Sequence, residues 1–156
     1  MTALDTMREF VAQYPDFDIL GGFTIDYADK VPDCAGLFPA GLVEIRRIHD
    51  IIPLELGGGV TVENQYNFAL YTVLAKSKDD DAGAEHNAEW QMGFQEWVQR
   101  QSALGLAPSF GDEPHTERIS AQNGALYSAD EEGTAMYAIQ LSVTFKKRYT
   151  KEALNG

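Results

Sequence analysis

The most constraining feature of the sequence is a stretch of strict alternation near its C-terminal end. Apolar residues occupy every second position from Tyr137 to Phe145, and the positions between them are small or polar. A strand points successive side chains to opposite faces, so this pattern predicts an antiparallel strand with one buried and one solvated face. In residues 60–75, apolar side chains likewise fall mostly on one face of an extended chain and polar side chains on the other, which predicts a second long strand.

Two segments have the spacing of amphipathic helices. In residues 2–14 apolar side chains recur at helical spacing, Thr2 and Asp5 resemble a capping box, and Pro15 ends the pattern. Residues 84–104 predict a second helix, and its spacing indicates a buried face rather than an aromatic stacking surface. The predicted apolar stripe of this helix comprises Trp90, Phe94, Trp97, Val98 and Leu104.

The complete pattern predicts one domain over residues 1–156, with the element order α-β-β-β-α-β-β. We expect an α+β fold, a two-layer sandwich in which two helices pack on one face of a mostly antiparallel sheet. Long loops are expected between these elements, at residues 28–41, 49–59 and 105–116. The five strands are expected at residues 23–27, 42–48, 60–75, 117–128 and 134–149.

Composition excludes several classes of protein. Hydrophobic residues make up 44% of the 156, so a packed core is expected and disorder is not. The single cysteine, Cys34, cannot form an internal disulfide, and no apolar run approaches the roughly 18 residues of a membrane span. The first fifteen residues lack the basic and apolar regions of a secretory signal, which predicts a cytoplasmic origin.

Charge is unevenly distributed along the chain. The net charge of -12 disfavours a protein that grips phosphates over its whole surface. Four of the twelve basic residues nevertheless lie among the last eleven residues, and we expect this patch to meet an acidic surface on a neighbouring protein. The alternative is a solvated terminus. The candidate interface residues are Lys146, Lys147, Arg148, Arg46 and Arg47, with Lys147 on the buried-face side of its strand and Lys146 and Arg148 on the other.

No group of residues has the spacing of a catalytic or metal site. His49 and Asp50 are adjacent, but no serine or cysteine nucleophile is tied to them. Gly57–Gly59 precedes a strand rather than a helix and lacks the lysine of a phosphate-binding loop. Residues 79–81 are acidic but lack the alternating ligand spacing of an EF-hand. We therefore expect no enzyme activity, no cofactor and no metal.

Four strings in the sequence suggest a family. They are LFPAGLVEIRR (37–47), VTVENQYNFALY (60–71), FQEWVQRQSALGLAPSFGDEP (94–114) and YAIQLSVTFKKRY (137–149). With its order of elements, the chain resembles phage and prophage tail terminator (tail-completion) proteins over residues 4–150. The resemblance implies a structural protein that caps the head-proximal end of the tail tube as a hexameric ring, stops tube polymerisation and joins the tail to the head. It implies no catalytic residues.

The resemblance also implies partners and a location. The partners would be further copies of the chain, the tail tube protein and the head-side connector, with the tail sheath protein as a further candidate. DNA would pass through the lumen without sequence-specific binding, and the protein would reside in the tail or neck of the virion after assembly in the host cytoplasm. The alternatives are a head–tail connector or neck protein, a small hydrolase or transferase using His49, His86 or His115, and a module that binds peptide or DNA through its basic C-terminus.

Overall fold

The structure is a computed structural model that describes residues 2–15, 22–24, 34–75, 81–111, 116–129 and 134–151. Its elements follow the predicted order α-β-β-β-α-β-β, with a short 3-10 helix, Leu54–Leu56, between the second and third strands. The helices are α1 (Ala3–Val11) and α2 (Asp81–Ala103). The strands are β1 (Gly22–Thr24), β2 (Cys34–His49), β3 (Gly59–Ala75), β4 (Arg118–Ala129) and β5 (Thr134–Thr150).

The five strands form one sheet in the order β1-β2-β3-β5-β4. The short β1 runs parallel to β2, and every other neighbouring pair is antiparallel. β3 lies at the centre and pairs with β5 without interruption, from Gly59 opposite Thr150 to Ala75 opposite Thr134. This register places the apolar residues of β3 and β5 on the same face of the sheet, as the alternation in the two long strands predicts.

The core lies between one face of the sheet and the two helices, so the predicted two-layer α+β architecture is confirmed. The completely buried apolar side chains come from both layers. They are Leu37, Leu70, Ile139, Leu141 and Val143 of the sheet with Met7, Val11, Phe94 and Val98 of the helices. Burial of this many large apolar groups supplies the main driving force for the fold.

An aromatic cluster joins the two helices. The ring of Tyr14, just after α1, packs edge-on against Phe94 and Trp90 of α2, with ring centroids 5.3 and 5.5 Å apart. Phe10 contacts Trp97 at 5.0 Å. Edge-to-face and tilted pairs at these distances are favourable arrangements for aromatic rings. The capping box predicted at Thr2 and Asp5 is present and fixes the start of α1.

Two details of the prediction are wrong. Residues 34–41 belong to β2 rather than to a loop, and they accommodate Pro39 through an irregularity between Pro39 and Leu42 in which Gly41 has a φ of +99°. Leu104 does not belong to the core, because α2 ends at Ala103 and the side chain of Leu104 is 65% exposed. Gly105 follows in the left-handed conformation that commonly ends helices.

Candidate assembly surface

Three strands continue past the part of the sheet that the helices cover. The shared hydrophobic core extends as far as Tyr66 on β3 and Val143 on β5. Beyond this point β2, β3 and β5 remain paired and end at the turn that carries the 3-10 helix. We call this region, residues 42–64 and 144–151, the distal arm.

The distal arm exposes an unusual amount of apolar surface. Of the twelve large hydrophobic side chains that are exposed in the described part of the chain, eight belong to the arm. They are Leu42, Val43, Ile45, Ile48, Ile51, Ile52, Leu56 and Tyr149. Single exposed apolar residues are normal, but a concentrated patch usually marks an interaction surface.

The two edge strands of the sheet differ in whether their outward backbone groups are already hydrogen-bonded. At the β4 edge, Ser102 Oγ of α2 accepts a hydrogen bond from the Ile119 amide at 3.1 Å, and Gln95 Nε2 donates one to the Ala121 carbonyl at 3.1 Å. At the other edge, β1 ends at Thr24, opposite Gly36, and within the described chain no strand pairs with the outer side of β2 beyond that point. Open edges are available for association, whereas capped edges are not.

Three of the five predicted interface residues form ion pairs within the chain. Arg46 bonds to Glu63 at 3.2 Å, Arg47 to Glu44 at 2.7 Å, and Arg148 to Asp50. Lys146 and Lys147 have no ion-pair partner among the residues that the structure describes. The predicted division of the last strand is confirmed, since Lys147 lies opposite Val62 on the core side of the sheet and Lys146 opposite Glu63 on the other.

The tip of the arm is tied to β5 through Asp50. Both terminal nitrogens of Arg148, Nη1 and Nη2, donate to its carboxylate, and the Gly59 amide donates to the same group at 3.0 Å. These hydrogen bonds, chiefly those from Arg148, hold the pKa of Asp50 below its ordinary value. A side chain at position 59 would collide with the guanidinium, because its Cβ would lie 2.6 Å from Arg148 Nη2.

The arm and the rest of the chain carry opposite net charge. The arm contains six of the twelve basic residues and four of the twenty-four acidic ones, so its formal charge is +2 and that of the remaining residues is -14. Such an asymmetry favours contact between the arm of one molecule and the body of another.

A groove runs along the core side of the arm, with a volume of about 540 Å³. Val60 and Val62 lie in its floor and are only 7% exposed, and Arg47 and Lys151 lie at its rim. The remaining lining residues are Leu42, Glu44, Leu54, Asn64, Tyr149 and Thr150. The groove therefore combines an apolar floor with a rim that carries more basic than acidic side chains.

Around Asn67, the opposite face of β3 and β5 is polar and uncharged. Asn67 Oδ1 accepts hydrogen bonds from Gln65 Nε2 at 2.7 Å and from Ser142 Oγ at 2.9 Å, and Thr144 lies opposite Gln65. These side chains are partly exposed, as the sequence predicts. A face without charge is compatible with burial against a neighbouring subunit, because burying unpaired charges is costly.

The adjacent residues His49 and Asp50 have different surroundings in the structure. The Asp50 carboxylate is engaged by Arg148 and Gly59, and His49 is exposed at the end of β2. Within the described ranges, no three His, Cys, Asp or Glu side chains are grouped so that they could hold a metal ion. The side chain of His86 and the whole of His115, Asp79 and Asp80 lie outside the described part of the structure.

A second groove, of about 670 Å³, lies between α2 and the capped edge of β4. Its lining is mixed: Gln95, Glu96, Gln99, Ser102, Ala103, Arg118, Ile119, Ser120, Ala121 and Gln122. It contains neither histidine nor cysteine, and the hydroxyl of Ser102 is bonded to the Ile119 amide. This groove therefore offers no activated nucleophile.

Two further findings bear on the class of protein. Among the described helices, none has the length and apolarity needed to span a membrane. Comparison of the sequence with protein-family models gives no match, and comparison with curated proteins gives none either.

Proposed function

We propose that this protein is a structural component of a phage tail, a terminator that caps the head-proximal end of the tail tube as a ring. It stops tube polymerisation and provides the surface to which the head-side connector binds. The proposal combines the resemblance in sequence with the properties of the distal arm. It assigns the protein to the tail or neck of the virion.

The observation that carries the proposal is the exposed apolar surface of the distal arm. Eight large hydrophobic side chains extend past the helix-covered core, five on strands β2 and β5 and three in the turn between β2 and β3. A monomer gains nothing from this arrangement, because exposed apolar area is unfavourable in water. A subunit of an assembly gains binding energy when the same area becomes buried against a neighbour.

The electrostatic properties support a conduit for DNA. The chain as a whole carries -12, and a ring of such subunits would repel the phosphate backbone rather than retain it. The basic side chains of the arm are largely engaged by acidic neighbours, through Arg46, Arg47 and Arg148. Both features favour contact with proteins over contact with nucleic acid.

The partners under this proposal are further copies of the chain, the tail tube protein and the head-side connector, with the tail sheath protein as an additional candidate. A head–tail connector or neck protein is a variant of the same function. The two differ in the surface that they recognise, since a terminator binds the end of a tube without heads being present.

The test is direct imaging of the purified protein mixed with purified tail tubes. Electron microscopy of negatively stained samples would show where the protein binds, and growth of the tubes from added tube subunits would be followed in parallel. A matched control uses a variant with Phe94→Ala, whose core and therefore surface should be disrupted.

The terminator predicts additional density at one end of each tube and an arrest of growth at that end. Binding along the length of the tube, at both ends or not at all would contradict the proposal. Binding to isolated heads in the absence of tubes would instead identify a connector.

A further inference from the structure

The protein carries two surfaces of opposite charge, an apolar groove with a basic rim and a single exposed methionine between acidic side chains. The first is the groove of the distal arm, whose apolar floor is flanked by Arg47 and Lys151. Lys147, which has no ion-pair partner among the described residues, lies on the same face. The second is on the outer side of α2. There Met92 is 58% exposed, and Glu89 and Glu96 flank it.

The residues of the second patch lie on one line of the helix. Glu89, Met92, Glu96 and Gln99 are three or four positions apart, so they face the same direction, and all four are exposed. We call them the α2 stripe. Arg100 lies one turn beyond Glu96, and the acidic part of the stripe is therefore the part centred on Met92.

We propose that the groove of the distal arm receives the α2 stripe of a second copy of this chain. Met92 would contact the apolar floor at Val60 and Val62, and the two glutamates would pair with basic side chains at the groove. The inference rests on the proposed function, because it names the contact by which the proposed ring would close.

The dimensions of the two patches agree. Glu89 and Glu96 are seven residues apart on a helix, which corresponds to about 10 Å along its axis. Arg47 and Lys147 both lie opposite Val62, one on each neighbouring strand, so they are two strand spacings apart, about 10 Å. Long flexible side chains accommodate any small difference between the two spacings.

The basic groups are available for such a contact at small cost. The pairs Arg47–Glu44 and Lys151–Glu55 are formed by side chains that are about half exposed or more. Exposed pairs of this kind contribute little to stability, so exchanging one acidic partner for another is nearly neutral. Lys147 has no ion pair to give up among the described residues.

The contact uses two different surfaces of the same chain. Such a contact is heterologous, and its repetition produces a closed ring when the rotation between copies allows closure. Joining the β2 edge of one sheet to the β4 edge of the next is disfavoured as an alternative, because α2 side chains already bond to the amide of Ile119 and the carbonyl of Ala121 at the β4 edge.

Cysteine cross-linking distinguishes this contact from others. In a Cys34→Ser background, Leu42→Cys places a thiol at the groove and Met92→Cys places one on the stripe, both at positions that are more than half exposed. Each single variant is oxidised alone, and the two are also oxidised as an equal mixture. A third protein carries both substitutions in one chain. Products are separated by non-reducing electrophoresis in multiples of 17.2 kDa.

Neither single variant should form a disulfide dimer, the mixture should form a dimer, and the double variant should form a ladder or a closed ring. Dimers from a single variant would overturn the proposal in favour of a two-fold contact. Absence of the mixed dimer at the highest soluble concentration would also overturn it.

Charge exchange provides the second measurement. One double variant reverses the groove, with Arg47→Glu and Lys147→Glu, and another reverses the stripe, with Glu89→Lys and Glu96→Lys. Each should weaken association at least about tenfold, as measured by sedimentation velocity, and the chain that carries all four substitutions should associate normally again. Lys146→Glu is the control. The sequence predicts Lys146 as an interface residue, but it lies on the opposite face, so the proposed contact does not include it. Equal loss in the control, or no rescue, would contradict the assignment.

These outcomes are separable from those of the proposed function. If the protein caps tubes but the exchange variants associate normally, the proposed contact is wrong and the function stands. If the contact forms but tubes are not capped, the function is wrong and the contact stands.

Discussion

Arg148 on the last strand binds Asp50 at the tip of the distal arm with both terminal nitrogens of its guanidinium group, although 98 positions separate the two residues. The Nη1–Oδ1 distance is 3.1 Å. Bidentate pairing is the strongest geometry available to arginine and carboxylate, and here it fixes the turn between β2 and β3 to β5. A residue predicted to bind a neighbouring protein therefore serves first to shape the arm.

This relationship predicts the acid sensitivity of the tip. The pKa of Asp50 is lowered in the folded state, so its stabilising contribution is complete above the unfolded value of about 3.9 and is lost as the pH falls through the lowered folded value. Arg148→Gln should raise the pKa of Asp50 toward its ordinary value. NMR titration of the Asp50 carboxyl carbon measures this change, and an unchanged midpoint would show that the arginine does not set the pKa.

The core makes a prediction about relative stability. Phe94 is completely buried between Tyr14 and Trp90, whereas Trp97 is only partly buried. Phe94→Ala should therefore reduce the free energy of unfolding by about 3–5 kcal/mol, and Trp97→Ala by less. Equilibrium denaturation with urea measures both. The reverse order would mean that the helix is rotated relative to the sheet.

A buried carboxylate holds the loop that follows α2. Glu117 is 4% exposed, and its Oε2 accepts hydrogen bonds from Ser109 Oγ and from the amides of Phe110 and Gly111, at 3.0, 3.2 and 3.3 Å. The loop in turn places Phe110 against Tyr66, with ring centroids 5.3 Å apart. Glu117→Ala should cost about 1–3 kcal/mol of unfolding free energy, because the partly buried amides of Phe110 and Gly111 lose their acceptor.

The control for this change is Glu96→Ala, at an exposed position on α2. It should alter stability by no more than about 0.5 kcal/mol. If the two variants unfold at the same urea concentration, Glu117 does not organise the loop.

The elements of the fold that could be predicted are those whose hydrophobic pattern repeats over many neighbouring residues. The alternation from Tyr137 to Phe145 and the stripe around Phe94 are periodic over many residues, and both elements appear where they were expected. The first half of β2 was missed because Pro39 and Gly41 are typical loop residues. They are tolerated in this strand since it is an edge beyond Gly36 and contains a local irregularity between Pro39 and Leu42.

The candidate site was less predictable than the fold. The basic residues were found because they are adjacent in sequence, but their partners depend on the register, which brings Glu63 to Arg46 and Asp50 to Arg148. The apolar surface of the arm was missed although Ile48, Ile51 and Ile52 were visible. Their exposure follows from the ends of the helices, and no local pattern encodes where a helix layer stops.

The central claim, that the protein terminates tails through the distal arm, is tested most directly by the lengths of tails assembled in infected cells. A phage whose copy of this gene carries Arg47→Glu with Lys147→Glu would be compared with one that carries Lys146→Glu, and tail lengths and head attachment would be measured by electron microscopy. The account predicts overlong tails without heads for the first and normal, joined tails for the second. Tails of normal length joined to heads in the first phage would contradict it.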